Sequence, residues 1–557
     1  MKIIECVPNF SEGKDPDIIK QITASMESIS GVTLLDVDMG SDTNRTVVTI
    51  VGSPEDVIKS AFIGIKKSIN LIDMNKHKGE HARMGATDVC PFVPISNVSM
   101  KDCIDYSIEL AKMVSKELNL PVFLYEKSAQ NKSRENLANI RNGEYEGMKN
   151  KMNDSKWRAD FGPNKPHDTA GVVAIGARNF LIAYNINLNT QDKKIASDIA
   201  LEIREQGRNK RNKDGKFIRD KNGVPIKKPG TLKDCKAVGW YIEEYGQAQV
   251  SMNLTNFNTT SPHIAFEEVR FQARKRGLRV SGSELVGLIP LSAMISAGKY
   301  YLAKQKRSTG IPTKDIIQIA ITSMGLNELC KFDPYEKIIE YKIDTSNKDL
   351  ASLPTNAFLD LLSSESPAPG GGSVSALVGA LSASLNSMVA NLTFGKKKWD
   401  SLFDKMINIS ESSQLLKEKL LVLIDEDTNS FTKVMESYQL PKSTPSEINF
   451  RDSAINEAIK YATTIPHETL KNCHEVMKLS YSAAKYGNSN SISDAGVAIE
   501  IAYAGIRGAL LNIEINLNQI DDKSFINTIK NSTKIILEDS KIILNKTRKI
   551  IKNKIDE

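Results

Sequence analysis

Two histidines, His77 and His81, stand four residues apart in the stretch 76–92, which also holds two acids, three bases and two glycines. The stretch has no clean helical or strand period, so it reads as a loop running into a short strand over 89–94. Irregular segments dense in ionisable groups are where folds place chemistry. The imidazole of His81, between Glu80 and Arg83, could take and return a proton near neutral pH in a pocket that favours anions. A solvated loop with incidental charge is the plainer reading. An H-x-x-x-H pair suits a metal when it lies on a helix, and the helical pattern is missing here, so no metal site is expected. Asp36 and Asp38 close a predicted strand at a polar turn, where Asp38 could orient the histidine or simply cap the turn.

Three other stretches could do chemistry. Gly162-Pro163-Asn164-Lys165-Pro166-His167-Asp168-Thr169-Ala170-Gly171 is a glycine- and proline-rich loop that could wrap a flat ligand or only connect modules. Pro369-Gly370-Gly371-Gly372-Ser373 places three glycines at a predicted helix start, where bare backbone N–H groups could meet a carboxylate or phosphate. It lacks the G-K-[ST] ending of a phosphate-binding P-loop. In Asp425-Glu426-Asp427 the second aspartate falls at the edge of an apolar helix face marked by Ile424 and Phe431, where a raised pKa is possible. A solvated charge run is its plainer reading. The polar segment 486–495 reads as a helix entry.

The elements that must position these groups change character along the chain. Residues 1–179 alternate strands (2–8, 32–37, 45–51, 89–94, 121–125) with helices (15–28, 53–69, 101–118), which predicts an α+β sandwich. A second module of the same class covers 180–335, with paired strands at 237–243 and 247–253. Inside it a basic, glycine-bearing insertion near 209–230 reads as a mobile solvated hairpin. A linker is expected over 336–349. From 350 to 557 helical spacing dominates (352–364, 373–394, 399–438, 449–477, 493–513, 522–554), which predicts an all-α domain. The alanine-, serine- and glycine-rich stretch 373–394 permits close helix approach and suits a buried or interface helix.

With 557 residues, 40% hydrophobic and 25% charged, the chain has the composition of an ordinary multidomain globular protein. A net charge of +7 is modest for this length and argues against a dedicated nucleic-acid binder, while fitting a small anionic substrate. The six cysteines form no C-x-x-C pair, so they are expected to be reduced in a cytoplasmic protein. No signal-peptide pattern opens the chain, and no uncharged apolar run is expected to reach the length of a membrane span.

Glu5-Cys6-Val7-Pro8-Asn9-Phe10-Ser11-Glu12-Gly13, Asp36-Val37-Asp38 with Asn44-Arg45-Thr46, Gly79-Glu80-His81 and Arg204-Glu205-Gln206-Gly207-Arg208 resemble glutamate formimidoyltransferases. Ala368-Pro369-Gly370-Gly371-Gly372-Ser373, Asp427 with Phe431, and Gly487-Asn488 with Ser491, Ser493 and Asp494 resemble formimidoyltetrahydrofolate cyclodeaminases. In that order they resemble the bifunctional formimidoyltransferase-cyclodeaminase family of histidine degradation, over essentially the whole chain. Ala82, where proline is common, and the 209–230 insertion depart from the pattern.

The resemblance implies two α/β subdomains with folate between them and a helical cyclodeaminase domain. It puts the transferase histidine on His81, its supporting aspartate on Asp38 and the folate-contacting loop on residues 162–171. Arg45 and Arg83 are the expected carboxylate holders. In the helical domain it puts the acid/base on Asp427, with Asp425 as the fallback, and a folate-binding turn on residues 370–373. Tetrahydrofolate, polyglutamylated, is the implied one-carbon acceptor, with no metal. A homo-oligomer built from dimers is implied, with helix 373–394 a candidate interface, and neither nucleic acid nor membrane as a partner. Other readings remain open: a formyl donor with a methenyltetrahydrofolate cyclohydrolase, a folate-binding scaffold, or a helical domain that serves only oligomerisation.

Overall fold

A computed structural model of the chain describes residues 2–40, 44–79, 82–243, 245–329, 331–343, 350–395 and 397–556. The chain divides into two compact units, residues 1–294 with 324–345 and residues 295–323 with 346–557. The first is α+β and the second almost wholly helical, as the change in hydrophobic period predicts.

The first sheet contains β1 (Ile3–Cys6), β2 (Asn9–Phe10), β3 (Val32–Gly40), β4 (Arg45–Gly52), β5 (Thr87–Ser96), β6 (Val122–Glu126) and β7 (Val173–Ala177). β1 and β2 are two pieces of one line that runs between β4 and β5 and pairs antiparallel with both. β3 extends the sheet beyond β4, and β7 then β6 continue it in parallel beyond β5. Helices Pro16–Glu27, Pro54–Leu71 and Met100–Leu118 start at the side-chain caps Asp15, Ser53 and Ser99. Their apolar stripes, including Ile19, Ile22, Ile65 and Leu110, bury against Ile4, Ile50, Cys90 and Phe92 on one face of the sheet.

The other face is partly covered by short helices, Leu137–Arg141 and Glu144–Lys151, which set Ile140 and Met148 against Val89, Phe123 and Tyr125. At five and eight residues they are too short to show a helical period, so the sequence reading passes over them.

The second sheet is antiparallel throughout. It runs Cys235–Ile242, Gln247–Leu254, Ile182–Leu188, Val280–Val286 and carries helices Lys193–Ile203 and Pro262–Lys275. The insertion beside it is built differently from the expected simple hairpin. Its stem is the antiparallel pair Arg208–Asn209 and Lys227–Lys228. Above the stem an eight-residue unit occurs twice, Arg211-Asn212-Lys213-Asp214-Gly215-Lys216-Phe217-Ile218 and Arg219-Asp220-Lys221-Asn222-Gly223-Val224-Pro225-Ile226. Each copy makes the same turn. Gly215 and Gly223 adopt φ near +80°, and Arg211 and Arg219 donate to their carbonyls at 2.6 Å. The copies stack through Ile218 N–H to Lys210 O and Ile226 N–H to Ile218 O.

Two boundaries differ from the sequence reading. The first part of the expected linker forms helices Pro334–Lys337 and Ile339–Ile343, with Ile338 and Ile339 fully buried. The remainder of that linker, 344–349, lies outside the described residues. Residues 295–323, expected within the second module, pack in the helical unit. There Lys299 pairs with Glu411 at 2.7 Å, and the Gly310 carbonyl accepts from Ser387 Oγ and Asn391 Nδ2.

The long helices of the second unit are Gly371–Thr393, Phe403–Tyr438, Pro445–Tyr486, Ile492–Leu517 and Lys523–Asp556. Gly371–Thr393 is central to them. Gly379 lets it approach Cys473 so closely that a Cβ would sit 2.6 Å from the sulfur, and Ser382 Oγ donates to the Ala498 carbonyl at 2.6 Å. Against expectation, Gly371–Thr393 and Ser489–Leu517 are long and apolar enough to cross a membrane. The serines of the first obscure that in an apolar count. Here they are largely buried and hydrogen-bonded within the bundle. Pro445–Tyr486 runs through Pro466 without ending. The carbonyl four residues earlier, Ala462, loses its helical donor to that proline and instead accepts from Asn516 Nδ2 at 3.0 Å.

Candidate active sites

In the first unit the sheet register decides which side chains meet. Asp38 of β3 pairs with Val47 of β4, which pairs with Asn9 of β2. Asp38 and Asn9 therefore point to the same face, away from the three long helices. Arg45 joins them there: its Nε and Nη2 donate to Asn9 Oδ1 at 3.0 and 2.7 Å, and its Nη1 meets Asp88 Oδ2 at 2.5 Å. Asp88 is fully buried at a bulge in β5. It also takes Arg141 Nη2 at 2.5 Å and the Met84 N–H at 3.0 Å. Arg45 is thus one of two cations neutralising a buried carboxylate. Sequence reading missed Asp88 and Arg141. The available signal was an acid inside the otherwise apolar strand run 87–92, a place where a charge needs a partner.

Farther along the same line Glu5 is 4% exposed. Burial pushes its carboxyl up to about 7, against a lowering pull from the Arg178 charge.

Glu80 and His81 lie outside the described residues. The segments flanking them are firmly held. His77 Nδ1 faces Arg83 Nε at 3.2 Å, so Nδ1 accepts, and Nε2 then carries the hydrogen donated to the Asn44 carbonyl at 2.8 Å. Both ring nitrogens are engaged, which leaves His77 without a lone pair for a metal. Asn44 in turn takes the Gly13 N–H and donates to the Lys78 carbonyl. Arg83 corrects an expectation. The residue is 7% exposed, and its guanidinium is already bound by Glu144 and Glu146 at 2.7 Å each. It therefore tethers helix Glu144–Lys151 to the loop, and its fork is not presented to a substrate carboxylate.

The 162–171 loop closes on the same region. His167 and Gly171 exchange backbone hydrogen bonds, and the His167 ring accepts from the Ala170 N–H at 3.1 Å. Met74 N–H reaches the Thr169 carbonyl and Ala86 N–H the Ala170 carbonyl. Asn75 and Tyr145 both donate to the Asp168 carbonyl. Gly171 is required here, because a Cβ would sit 2.3 Å from the Met84 carbonyl. Gly162, Asn164, Lys165 and Asp168 stay exposed as an outer rim, with Pro163, Pro166, His167 and Thr169 half-buried.

In the second unit a cavity of about 420 Å³ opens where helix Gly371–Thr393 begins. Gly370, Gly371 and Gly372 form one wall, and Asp427 with Phe431, four residues on, forms another. The triple-glycine turn was expected to offer its N–H groups to an outside anion. At the residue after the glycines the carboxylate met is the chain's own: Asp427 Oδ2 accepts from the Ser373 N–H at 2.8 Å and from Ser373 Oγ at 3.1 Å. A Cβ on Gly372 would lie 2.0 Å from Asp427 Oδ1, so only glycine admits this contact. Burial raises the Asp427 pKa, and the two Ser373 hydrogen bonds pull it back in part. A carboxyl shifted by burial and lining a sheltered cavity is a candidate acid/base.

Asp425 does not compete for that position, since it accepts the Leu350 N–H at 2.6 Å and caps the turn there. The 486–495 segment packs at the other end of the central helix, with Asn488 N–H on Thr393 Oγ1. At 1.5 Å per residue that is about 33 Å from Gly371. Asn512 and Asn516 complete the cavity wall, and nothing in the sequence reading singled them out.

Comparison with known families matches residues 3–178 to the N-terminal subdomain of the formiminotransferase domain, 183–344 to the formiminotransferase domain, and 354–534 to formiminotransferase-cyclodeaminase. A formimidoyltransferase-cyclodeaminase of Dictyostelium discoideum is 41% identical over 556 residues, covering 99% of each chain. A glutamate formimidoyltransferase of Streptococcus pyogenes is 44% identical over 301 residues, 54% of this chain and 93% of its own. A methenyltetrahydrofolate cyclohydrolase of Methylorubrum extorquens is 45% identical over 168 residues, 30% of this chain and 81% of its own. The two-unit architecture, the two polar sites and end-to-end similarity agree: this chain belongs to the formimidoyltransferase-cyclodeaminase family.

Proposed function

We propose that this chain moves the formimino group of N-formimino-L-glutamate to tetrahydrofolate and then cyclises the product to 5,10-methenyltetrahydrofolate with release of ammonia. Relatives named for the whole bifunctional enzyme, and for its transferase half alone, support the assignment. The geometry that carries it is the protonatable Asp427 clamped on the Gly372–Ser373 helix start inside a cavity.

In the first step tetrahydrofolate N5 attacks the formimino carbon. His81 takes the N5 proton and returns one to the glutamate nitrogen as the C–N bond to glutamate breaks. Asp38, on the same sheet face as Arg45 and Asn9, supports the charge that develops on the imidazole. In the second step N10 attacks the same carbon. Asp427 accepts the N10 proton and delivers it to the amino group, so that ammonia departs as the methenyl bridge forms. Burial raises the Asp427 pKa, which makes its carboxylate a better proton acceptor for N10 than a solvated one. Oligomerisation and a polyglutamyl tail on the folate belong to the same reading.

The cyclohydrolase relative supports a second reading for the helical unit, in which water replaces the amine at the bridge carbon. Purified chain given tetrahydrofolate and N-formimino-L-glutamate decides between them. The expected result is methenyl absorbance with stoichiometric ammonia in wild type, neither in His81→Ala, and accumulated 5-formimino-tetrahydrofolate in Asp427→Asn. Wild type that makes no methenyl product from 5-formimino-tetrahydrofolate, yet hydrolyses added methenyltetrahydrofolate, would establish the second reading instead.

A further inference from the structure

Asn512 and Asn516 lie one turn apart on helix Ile492–Leu517, and both line the Asp427 cavity. Each amide is oriented by a bond its nitrogen makes to backbone. Asn512 Nδ2 donates to the Gly508 carbonyl at 2.9 Å. Asn516 Nδ2 donates at 3.0 Å to the Ala462 carbonyl, the one left without a helical donor by Pro466. An amide nitrogen tied to a carbonyl leaves the oxygen as the outward end. Neither oxygen is bonded among the described residues, and neither is sealed from solvent. The cavity thus presents two fixed acceptors side by side. The backbone of Gly371 abuts Asn512, and that of Gly372 abuts Asp427 Oδ1, so acceptors and acid/base are separated by consecutive glycines.

We infer that Asn512 and Asn516 recognise the donor edge of the reduced pterin, its 2-amino group and N3–H, and so set which one-carbon carrier the Asp427 site accepts. This rests on the proposed second step. A reduced pterin carries adjacent N–H donors on one edge and its reacting N5 on the other ring. A pair of acceptors beside, but distinct from, the acid/base meets that layout. Buried donors on a ligand need acceptors, and a site built to supply them rejects analogues that lack the donors. The asparagine oxygens do this without adding charge next to Asp427.

The full-length chain is assayed for ammonia release from 5-formimino-tetrahydrofolate and from its 2-desamino analogue. Wild type is expected to show a KM about tenfold higher for the analogue, the effect of one lost hydrogen bond. Of Asn512→Ala and Asn516→Ala, the one that removes the acceptor of the 2-amino group is expected to bring that ratio to within about twofold, and the one that removes the acceptor of N3–H to raise KM for both substrates alike. Asn512→Asp, which keeps acceptor oxygens, is expected to retain most of the ratio. The ratio compares two substrates on one protein, so a loss of stability, expected for Asn516→Ala because Ala462 is orphaned, does not imitate it. Alanine variants that keep the wild-type ratio while wild type releases ammonia would overturn this inference alone. A wild type that releases no ammonia would remove the second step and this inference with it. An Asn512→Asp variant that loses the ratio as fully as Asn512→Ala would also count against it.

Discussion

Glu5 shows how a single residue's surroundings reset its chemistry. Its motif neighbours mark it by resemblance, but its burial comes from being on the central line of the sheet, between β4 and β5. A carboxyl held at about 7, against 4.5 when solvated, favours its protonated form in the folded protein. The stability this contributes is fully present below 4.5 and is lost as pH rises through about 7. Glu5→Gln should therefore be more stable than wild type by a margin that grows over that window and then levels off. The shift corresponds to about 3 kcal/mol at most. Thermal midpoints at pH 5 and pH 8 check it, and a margin that shrinks with rising pH would contradict it. Arg83 and Arg45 carry the complementary lesson. Both are arginines in a polar loop or strand end, and the family resemblance makes both expected carboxylate holders. Only the structure shows that Glu144 and Glu146 already occupy one, and that Asp88 and Asn9 engage the other.

At the scale of elements, the central helix Gly371–Thr393 was legible from its small residues, and its start from three glycines. What that start does was not legible, because the carboxylate it grips arrives from a helix 54 positions away in sequence. Gly372→Ala tests the contact. A methyl cannot share space with Asp427 Oδ1, so the variant should lose ammonia release by more than about a hundredfold while formimino transfer continues. Equal loss of both activities would point to general unfolding instead. The insertion near 209–230 was legible as basic. Its bases exceed its acids by six, nearly the whole net charge of +7. Its order was missed because an eight-residue repeat with two glycines resembles a flexible tract until the paired turn bonds are seen.

For the whole molecule, the division into an α+β part and a helical part followed from hydrophobic period, and the structure agrees. The boundary did not follow. Segment 295–323 belongs with the helical unit because Gly310 inserts where a Cβ would sit 2.1 Å from Ser410 Oγ. Gly310→Ala should therefore destabilise the helical unit by about 1–3 kcal/mol. Thermal inactivation followed through each activity checks this: ammonia release should fail at a lower temperature than in wild type, with formimino transfer shifted less. Unchanged inactivation of ammonia release would show that the packing of 295–323 contributes nothing.

Sequence by itself determined what local chemistry and spacing can carry: helix periods, cap residues such as Ser53 and Ser99, the glycine turn before Ser373, and the motifs that name the family. Each depends on residues within a turn or two of one another. The tertiary structure decided everything set by desolvation and long-range pairing. It set Asp427 in the cavity and Asp425 on the Leu350 N–H, committed Arg83 to Glu144 and Glu146, buried Asp88 and Glu5, and brought Asn512 and Asn516 to the wall of the Asp427 cavity. Those outcomes depend on which distant groups exclude water from a side chain or satisfy its hydrogen bonds, and no spacing along the chain encodes that.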